Sequence, residues 1–246
     1  MAPKRERSVS RRRRWPNNLG VVLVDTLLAR IVAPTGAVGF AVWAEARHWG
    51  LLHQTSWPAW IEFLVALLLL DLAIYLQHRL FHYVPGLWRL HRMHHADLEV
   101  DVTTGARFHP LEILLSLGIK FIVIVTLGAP ALAVLLFELA LNATSMFNHS
   151  NVRIAPSVER CLRWLVVTPD MHRTHHSIVR RETDSNFGFN LPWWDRVFRT
   201  YRPQPEAGHQ GMTIGIDRFR DPKELRLDRM LTQPFREDSD RTPWRK

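Results

Sequence analysis

Residues 57–78, WPAWIEFLVALLLLDLAIYLQH, are the sequence feature that most restricts how this chain can fold. A helix needs about 20 mainly apolar residues to cross the hydrocarbon core of a bilayer. Trp57 and Trp60 lie at one end of the segment, where an interfacial aromatic belt is expected. The segment therefore predicts a membrane-spanning helix.

Residues 112–148 form a second long apolar segment, which is interrupted once, at Gly128 to Pro130. A glycine and a proline in this arrangement typically end one helix and begin the next. The pattern predicts a hairpin of two spanning helices. The alternative, a buried helical hairpin of a soluble protein, is disfavoured because so few positions in the segment are polar.

Residues 19–46 form a weaker apolar segment, which Asp25, Arg30 and Pro34 interrupt. Because charges are costly at membrane depth, this segment is predicted either to span or to be partly re-entrant. A secretory signal peptide is disfavoured, since the stretch is too long and too interrupted. The segments together predict an all-α fold, an integral membrane helical bundle of about four spanning helices with a cytoplasmic histidine-rich helical cap.

Residues 2–15, APKRERSVSRRRRW, carry seven basic residues and one acidic residue. Such a segment is typical of the cytoplasmic side of a first membrane span. A basic run can also bind nucleic acid, but no folded basic module follows, so no nucleic-acid partner is expected. The predicted organisation is a basic cytoplasmic tail at 1–18, a membrane-embedded catalytic domain with its cap at 19–235, and a disordered tail at 236–246.

A histidine pentapeptide occurs twice in the chain. Residues 91–95 read HRMHH, residues 172–176 read HRTHH, and HRLFH at 78–82 precedes them. Positions i, i+3 and i+4 of a helix lie on one face, so the three histidines of each repeat are predicted to point together. With the N-terminus inside, four spans bring ten of the 13 histidines to one membrane surface. The others are predicted to be solvated or to face lipid headgroups: His48, His53 and His209.

These clusters predict a metal site with nitrogen ligands. The single cysteine, Cys161, excludes a thiolate cluster. Two histidine triads, a pair and His149 suit two ions better than one, although imidazole accepts iron, zinc, copper and nickel alike. Surface histidines, a zinc hydrolase and a haem protein are the alternatives. No cluster has the HExxH pattern of a zinc protease, and haem needs single histidines on opposed helices.

The order of the motifs resembles one known family. HRLFH, LHRMHH, RFHPLE, FNHSN, TPDMHRTHHS and ETDSNFGFNLPWWDRVFRTY follow one another as in bacterial members of the fatty acid hydroxylase, or sterol desaturase, superfamily of integral membrane di-iron oxygenases. The resemblance covers roughly residues 60–235. The motifs are specific as an ordered set, whereas each one alone is weak.

The resemblance implies a set of metal ligands by position. Some members have a histidine where this chain has Ser145, so one coordination position is implied to be open or filled by water. His109 is implied to be either a ligand or a residue that orients one. The implied ligands are His78, His82, His91, His94, His95, His149, His172, His175 and His176. Four carboxylates are candidates for orienting the rings, with a helix cap or loop charge as the alternative role: Asp97, Asp101, Asp170 and Asp184.

The resemblance also implies the reaction and its participants. The expected cofactors are two iron ions, with zinc as the alternative in a purified form, and the expected co-substrate is dioxygen. The expected substrate is a lipid of sterol or fatty-acid type, hydroxylated or desaturated after entering from the lipid bilayer. The chain has no GxGxxG fingerprint and no cysteine cluster, so an external electron donor is expected, a ferredoxin or a b-type cytochrome with its reductase.

The expected location is a bacterial cytoplasmic membrane, with the N-terminus and the histidine cap facing the cytoplasm. Two functions of other classes stay open: a zinc-dependent membrane hydrolase and a non-catalytic metal-binding membrane protein. Lipid oxidation that stops without dioxygen or reductant would separate the oxygenase from both.

Overall fold

The computed structural model describes residues 2–236, and this part of the chain is all-α, as predicted. It has short 3-10 turns at Leu52–Gln54, Thr104–Ala106, Pro222–Leu225 and Gln233–Phe235. The α-helices are α1 Arg11–Val32, α2 Gly36–Glu45, α3 Ala59–Tyr83, α4 Pro85–His95, α5 Pro110–Leu127, α6 Ala131–Asn148, α7 Pro156–Leu162, α8 Pro169–His175, α9 Arg180–Thr183, α10 Trp193–Val197, α11 Gly208–Gly211 and α12 Leu227–Thr232.

Four helical segments of the described chain are long and apolar enough to cross a membrane, which confirms the predicted number. They are Arg11–Glu45, Ala59–Tyr83, Pro110–Leu127 and Ala131–Asn148. The first consists of α1 and α2, and the chain breaks between them beside Pro34. One face of α1 exposes Leu19, Leu23, Leu27 and Ile31, at a spacing of four residues. A continuous apolar stripe of this kind is suited to contact with lipid.

The turn between α5 and α6 has the form that the sequence predicts. Gly128 ends α5 with φ 68°, a left-handed conformation that favours glycine, and Pro130 precedes α6. The loop after α2 packs closely on this turn, since a methyl group at Gly128 would lie 2.6 Å from the Trp49 carbonyl oxygen. His48 and His53 belong to this loop and lie at the end of the bundle away from the other histidines.

Helices α2, α3, α5 and α6 share one apolar core. Small residues line several of the contacts, among them Ala41, Ala66 and Ala133, which are fully buried. Small side chains let neighbouring membrane helices approach closely. Packing in this core therefore fixes the positions of the C-terminal ends of α3 and α6. His78 and His82 lie near the end of α3, and His149 directly follows α6.

The remaining helices form a cap on that end of the bundle, and the N-terminal residues lie on the cap. Lys4 Nζ lies 2.7 Å from Asp170 Oδ2, and Ser8 Oγ donates to Glu99 Oε1 at 2.6 Å. The segment 1–18, predicted as a basic tail, thus contains the first two turns of α1 and contacts to the cap. Of the predicted disordered tail at 236–246, residues 237–246 lie outside the described residues.

Candidate metal centre

Nine histidines from four parts of the chain meet at the junction of the bundle and the cap. His78 and His82 lie on the last turns of α3, and His149 directly follows α6. The two pentapeptide repeats form the ends of α4 and α8, and each of these helices has a proline at its start. All nine side chains are buried.

The nine rings form two groups, and within each group the potential ligand nitrogens lie within 4.8 Å of one another. The five-histidine group contains His78, His82, His91, His95 and His175. The four-histidine group contains His94, His149, His172 and His176.

Each pentapeptide repeat contributes to both groups, whereas the sequence argument placed its three histidines together. His91 and His95 join the five-histidine group, while His94 joins the other. In the second repeat, His175 joins the five-histidine group, while His172 and His176 join the four-histidine group. Adjacent positions of a helix differ by about 100° in direction, so the last two histidines of a repeat cannot point at the same ion. The histidines thus form two groups, each built from both repeats, and the prediction of one half-site per repeat is wrong.

The orientation of the rings tells which nitrogens are free to bind a metal. In five rings Nδ1 lies within 3.2 Å of an accepting oxygen, so Nδ1 carries the hydrogen and Nε2 carries the lone pair. The partners are the Phe187 carbonyl for His78 at 2.7 Å, Glu112 Oε1 for His91 at 2.7 Å, the Arg107 carbonyl for His94 at 3.2 Å, the Ser145 carbonyl for His149 at 2.7 Å and the Ser185 carbonyl for His175 at 2.7 Å.

The Nε2 atoms of the groups then face one another at short range. His149 Nε2 lies 3.2 Å from His94 Nε2, 2.9 Å from His172 Nε2 and 3.2 Å from His176 Nε2. In the five-histidine group, His91 Nε2 lies 3.1 Å from His78 Nε2 and 3.2 Å from His95 Nε2. Buried lone pairs directed at one another are unfavourable without a cation among them. The donor set therefore fits a metal ion in each group.

Burial also keeps these rings in the form that binds metal. It lowers the pKa of His91 to about 3 and that of His149 to about 4. Burial likewise lowers the pKa of His94, His95 and His172 well below the usual value. The imidazoles are neutral at neutral pH, as a metal ligand must be.

The residues that orient the rings are mostly backbone carbonyls, which the sequence argument did not foresee. Of the four carboxylate candidates, Asp184 contacts a ring, with Oδ1 3.4 Å from His82 Nδ1. Asp170 instead pairs with Lys4 and with Arg173 at 2.6 Å. Glu112, which the sequence argument missed, holds His91; it lies two residues after the proline of RFHPLE, at the start of α5.

Asp97 and Asp101 form a buried ion-pair network with Arg14. Arg14 is fully buried; its Nε and Nη2 donate to Asp97 at 2.8 and 2.7 Å, and its Nη1 donates to Asp101 at 2.7 Å. Arg107 and Arg14 lower the pKa of Asp97, and Arg14 lowers the pKa of Asp101. The network ties the start of α1 to the loop after α4, directly behind the last histidines of that helix.

His109 lies outside both histidine groups. Its Nδ1 accepts from the Leu111 N–H at 3.2 Å, and its Nε2 donates to the Leu231 carbonyl at 3.1 Å. This ring caps the N-terminus of α5 and joins it to α12. Of the histidines predicted to be solvated, His209 is largely covered and lies 3.5 Å from Asp170, and burial lowers its pKa to about 4.

A cavity of about 300 Å³ extends from the five-histidine group into the bundle between α1, α3, α5 and α6. His78 and His91 form its end at the cap, and Phe108 and Phe189 line it nearby. Residues of the membrane-spanning segments and of the five-histidine group thus line the same cavity.

Gly105 provides a test of how closely the four-histidine group is packed. A methyl group there would lie 2.6 Å from the Ser145 carbonyl oxygen and 3.1 Å from His149 Nδ1. We expect Gly105→Ala to destabilise the protein by about 1–3 kcal/mol, because the end of α6 must shift. Thermal unfolding in detergent measures this. Gly86→Ala is the control, since a methyl group there meets no atom within 4 Å; equal midpoints for the two variants would contradict the packing.

The fold and the site together define an integral membrane protein with a buried, histidine-lined candidate metal centre. The model of the fatty acid hydroxylase family matches residues 63–200. The chain belongs to the fatty acid hydroxylase family.

Curated relatives carry several lipid-related names. Ornithine lipid hydroxylase OlsE of Rhizobium tropici is 34% identical over 163 residues, which are 64% of this chain and 47% of the relative. Alkylglycerol monooxygenase of Xenopus tropicalis is 28% identical over 72% of this chain and 38% of its own length. Sphinganine C4-monooxygenase 2 of Arabidopsis thaliana is 30% identical over 58% of this chain and 54% of its own length. The chain thus spans about half or less of these relatives, and no solved structure matches it.

Proposed function

We propose that this protein is a membrane oxygenase that hydroxylates a lipid, and that its nine buried histidines hold two iron ions. The observation that carries the proposal is the convergence of neutral Nε2 atoms in two separate groups. A set of neutral nitrogens without thiolate suits iron, among other transition metals, and membership of the fatty acid hydroxylase family favours iron. Zinc is the alternative occupant in purified protein.

Two iron ions, when bound, would supply the dioxygen chemistry that inserts oxygen into an unactivated C–H bond. The five-histidine group and the four-histidine group would each hold one ion. The carbonyls of Phe187, Arg107, Ser145 and Ser185 fix the ring orientations by accepting the Nδ1 hydrogens. Buried aromatic rings such as Phe187 and Phe189 keep water from the histidines of the five-histidine group.

The substrate we propose is a polar lipid that enters the cavity from the bilayer. Support comes from the relatives, whose names refer to ornithine lipids, alkylglycerols and sphinganine. The same names, hydroxylase and monooxygenase, favour hydroxylation over desaturation. Sterols and simple fatty acids stay second candidates.

An external electron donor, a ferredoxin or a b-type cytochrome with its reductase, belongs to the proposal. We place the histidine cap and the N-terminus on the cytoplasmic face, because the N-terminal segment is rich in arginine and lies on the cap. A bacterial cytoplasmic membrane is the proposed location.

The proposal is tested by supplying purified protein in nanodiscs with bacterial lipid extract, a reductant and isotopically labelled dioxygen. We expect labelled oxygen in a lipid product, and no product under argon or without reductant. Product formed under argon would favour a zinc hydrolase. Bound metal without any turnover, whatever the lipid and reductant, would favour a non-catalytic metal-binding protein.

Glu112 is expected to act by positioning His91. Replacing Glu112 with alanine removes the acceptor of the His91 Nδ1 hydrogen, so we expect metal affinity to fall by about 10- to 100-fold. Competition with a chelator measures the affinity. Glu6→Ala is the matched control, because Glu6 is exposed on the N-terminal segment. Unchanged metal affinity in the Glu112 variant would show that the His91 ring is held by its neighbours alone.

A further inference from the structure

The cavity beside the five-histidine group has hydrogen-bond acceptors that no described residue satisfies. Asp25 of α1, Gln77 of α3 and Glu112 of α5 all line it. Asp25 Oδ1, Gln77 Oε1 and Glu112 Oε2 each lack a hydrogen-bond donor among residues 2–236. Three helices thus contribute residues with unpaired, buried oxygens to the wall of one cavity.

A third carboxyl group in the same cavity, that of Glu138, has a partner. Glu138 Oε1 lies 2.6 Å from Lys120 Nζ, and both residues line the cavity. Lys120 lies eight residues after Glu112 on α5, about 12 Å farther along the helix. The paired charges are therefore at the deep end, while the unpaired acceptors are at the end nearest the histidines.

Among the lining residues of the described chain, carboxyl groups therefore outnumber ammonium groups by three to one. Carboxyl groups at membrane depth are costly unless a cation or a donor meets them. Asp25 makes no ion pair with a described residue, and Glu112 accepts a hydrogen bond from His91 through its other oxygen. The cavity is complementary to a group rich in N–H donors and carrying positive charge.

We propose that Asp25, Gln77 and Glu112 bind the ammonium group of an amino lipid, and so select amine-bearing lipids as substrates. This rests on the proposed function only in taking the bound lipid as the substrate. The ammonium group would lie beside His78 and His91, which share the cavity wall. The carbon to be hydroxylated is then close to the nitrogen rather than at the far end of an alkyl chain.

The position of the acceptors agrees with a lipid headgroup. Glu112 is in the first turn of α5, at the boundary between the membrane helices and the cap. Thr26 of α1 and Met146 of α6 line the cavity and are exposed, so the opening faces sideways between these helices. Through this opening the alkyl chains reach the bilayer.

Binding of simple amphiphiles tests the proposal without turnover. The probes are dodecylammonium and dodecan-1-ol, which share a chain and differ in the head; each is titrated into phosphatidylcholine nanodiscs with and without the protein, under argon. We expect the protein to bind dodecylammonium at least about tenfold more tightly than the alcohol. Equal binding of the two probes would overturn the proposal.

Asp25→Asn separates the role of the charge from that of the cavity shape. We expect it to reduce the preference for dodecylammonium to less than about threefold and to leave the alcohol unchanged. Asp217→Asn is the control, since Asp217 is exposed outside the cavity. An unchanged preference in the Asp25 variant overturns the proposal. If that variant does not fold, Gln77→Leu takes its place and must lower the preference for dodecylammonium. The ratio of the two affinities in the wild-type protein tests the proposal without any variant.

The two proposals fail in different ways. A protein that oxidises amine-free lipids as well as amino lipids would keep the proposed function and lose this inference. A protein that prefers the ammonium probe but never oxidises a lipid would keep the amine site and lose the proposed function.

Discussion

Replacing His149 with alanine is expected to lower lipid turnover by at least about 1,000-fold and to leave the protein with about one of its two metal ions. The His149 Nε2 atom lies within 3.2 Å of the Nε2 atoms of the three other members of the four-histidine group. Its removal leaves that group with three nitrogens and a gap at the centre. The five-histidine group has no member in common with it, so one ion should stay.

His48→Ala is the matched control for the His149 variant. His48 is exposed and lies at the opposite end of the bundle, so its loss should leave metal content and turnover unchanged. Metal analysis by mass spectrometry and the labelled-dioxygen assay measure both quantities. A His149 variant with full metal content and near-normal turnover would show that the four-histidine group does not bind a metal ion needed for catalysis.

The second large effect is expected at Arg14. Replacing it with alanine leaves Asp101 buried without its cation and Asp97 with Arg107 as its remaining cation. Breaking a buried ion pair in this way costs about 3–5 kcal/mol. The thermal midpoint should fall by about 6–20 °C in a chain of this size. Because these carboxylates follow His95 on the same loop, metal retention should fall as well.

Arg13→Ala is the control for Arg14, because the neighbouring arginine is exposed. A surface substitution of this kind should change the free energy of unfolding by less than about 0.5 kcal/mol. Thermal unfolding of both variants in the same detergent makes the comparison. Equal midpoints would mean that Arg107, which lies 3.5 Å from Asp97, is sufficient to balance the carboxylates.

The membrane helices could be predicted from sequence because their signal is local. Length and apolar composition identify α3, and the glycine and proline between α5 and α6 mark the turn that the structure has. Counting spans predicted ten histidines at one end of the bundle, because the ends of α3 and α6 then lie on the same side. Nine of them form the two groups, and His109 does not. These inferences use only the direction of each helix.

The division of the histidines into two groups depends on the direction of each side chain. It could not be predicted from the directions of the helices. A one-residue step on α4 sends His94 and His95 to different groups, and the sequence alone does not say which neighbour each one meets. The carbonyls that orient the rings, such as those of Phe187 and Ser185, belong to loops without regular structure. Every residue type has a backbone carbonyl, so the sequence does not indicate which residues orient the rings.

The sequence does contain an indication that Arg14 is buried. Arg14, Asn18 and Asp25 recur at helical spacing on α1 together with Val21, and these four are the buried residues of that helix. Polar residues on one face of an otherwise apolar helix typically face the protein interior. This pattern is missed when residues 11–14 are interpreted only as a charged tail, because three of these four arginines are exposed.

Metal analysis with Mössbauer spectroscopy on anaerobically purified protein would determine whether the two histidine groups hold two iron ions. We expect two iron ions per chain in two different nitrogen-rich environments, one for each histidine group. A single ion per chain in fully active protein, or activity that depends on zinc and continues under argon, would contradict it.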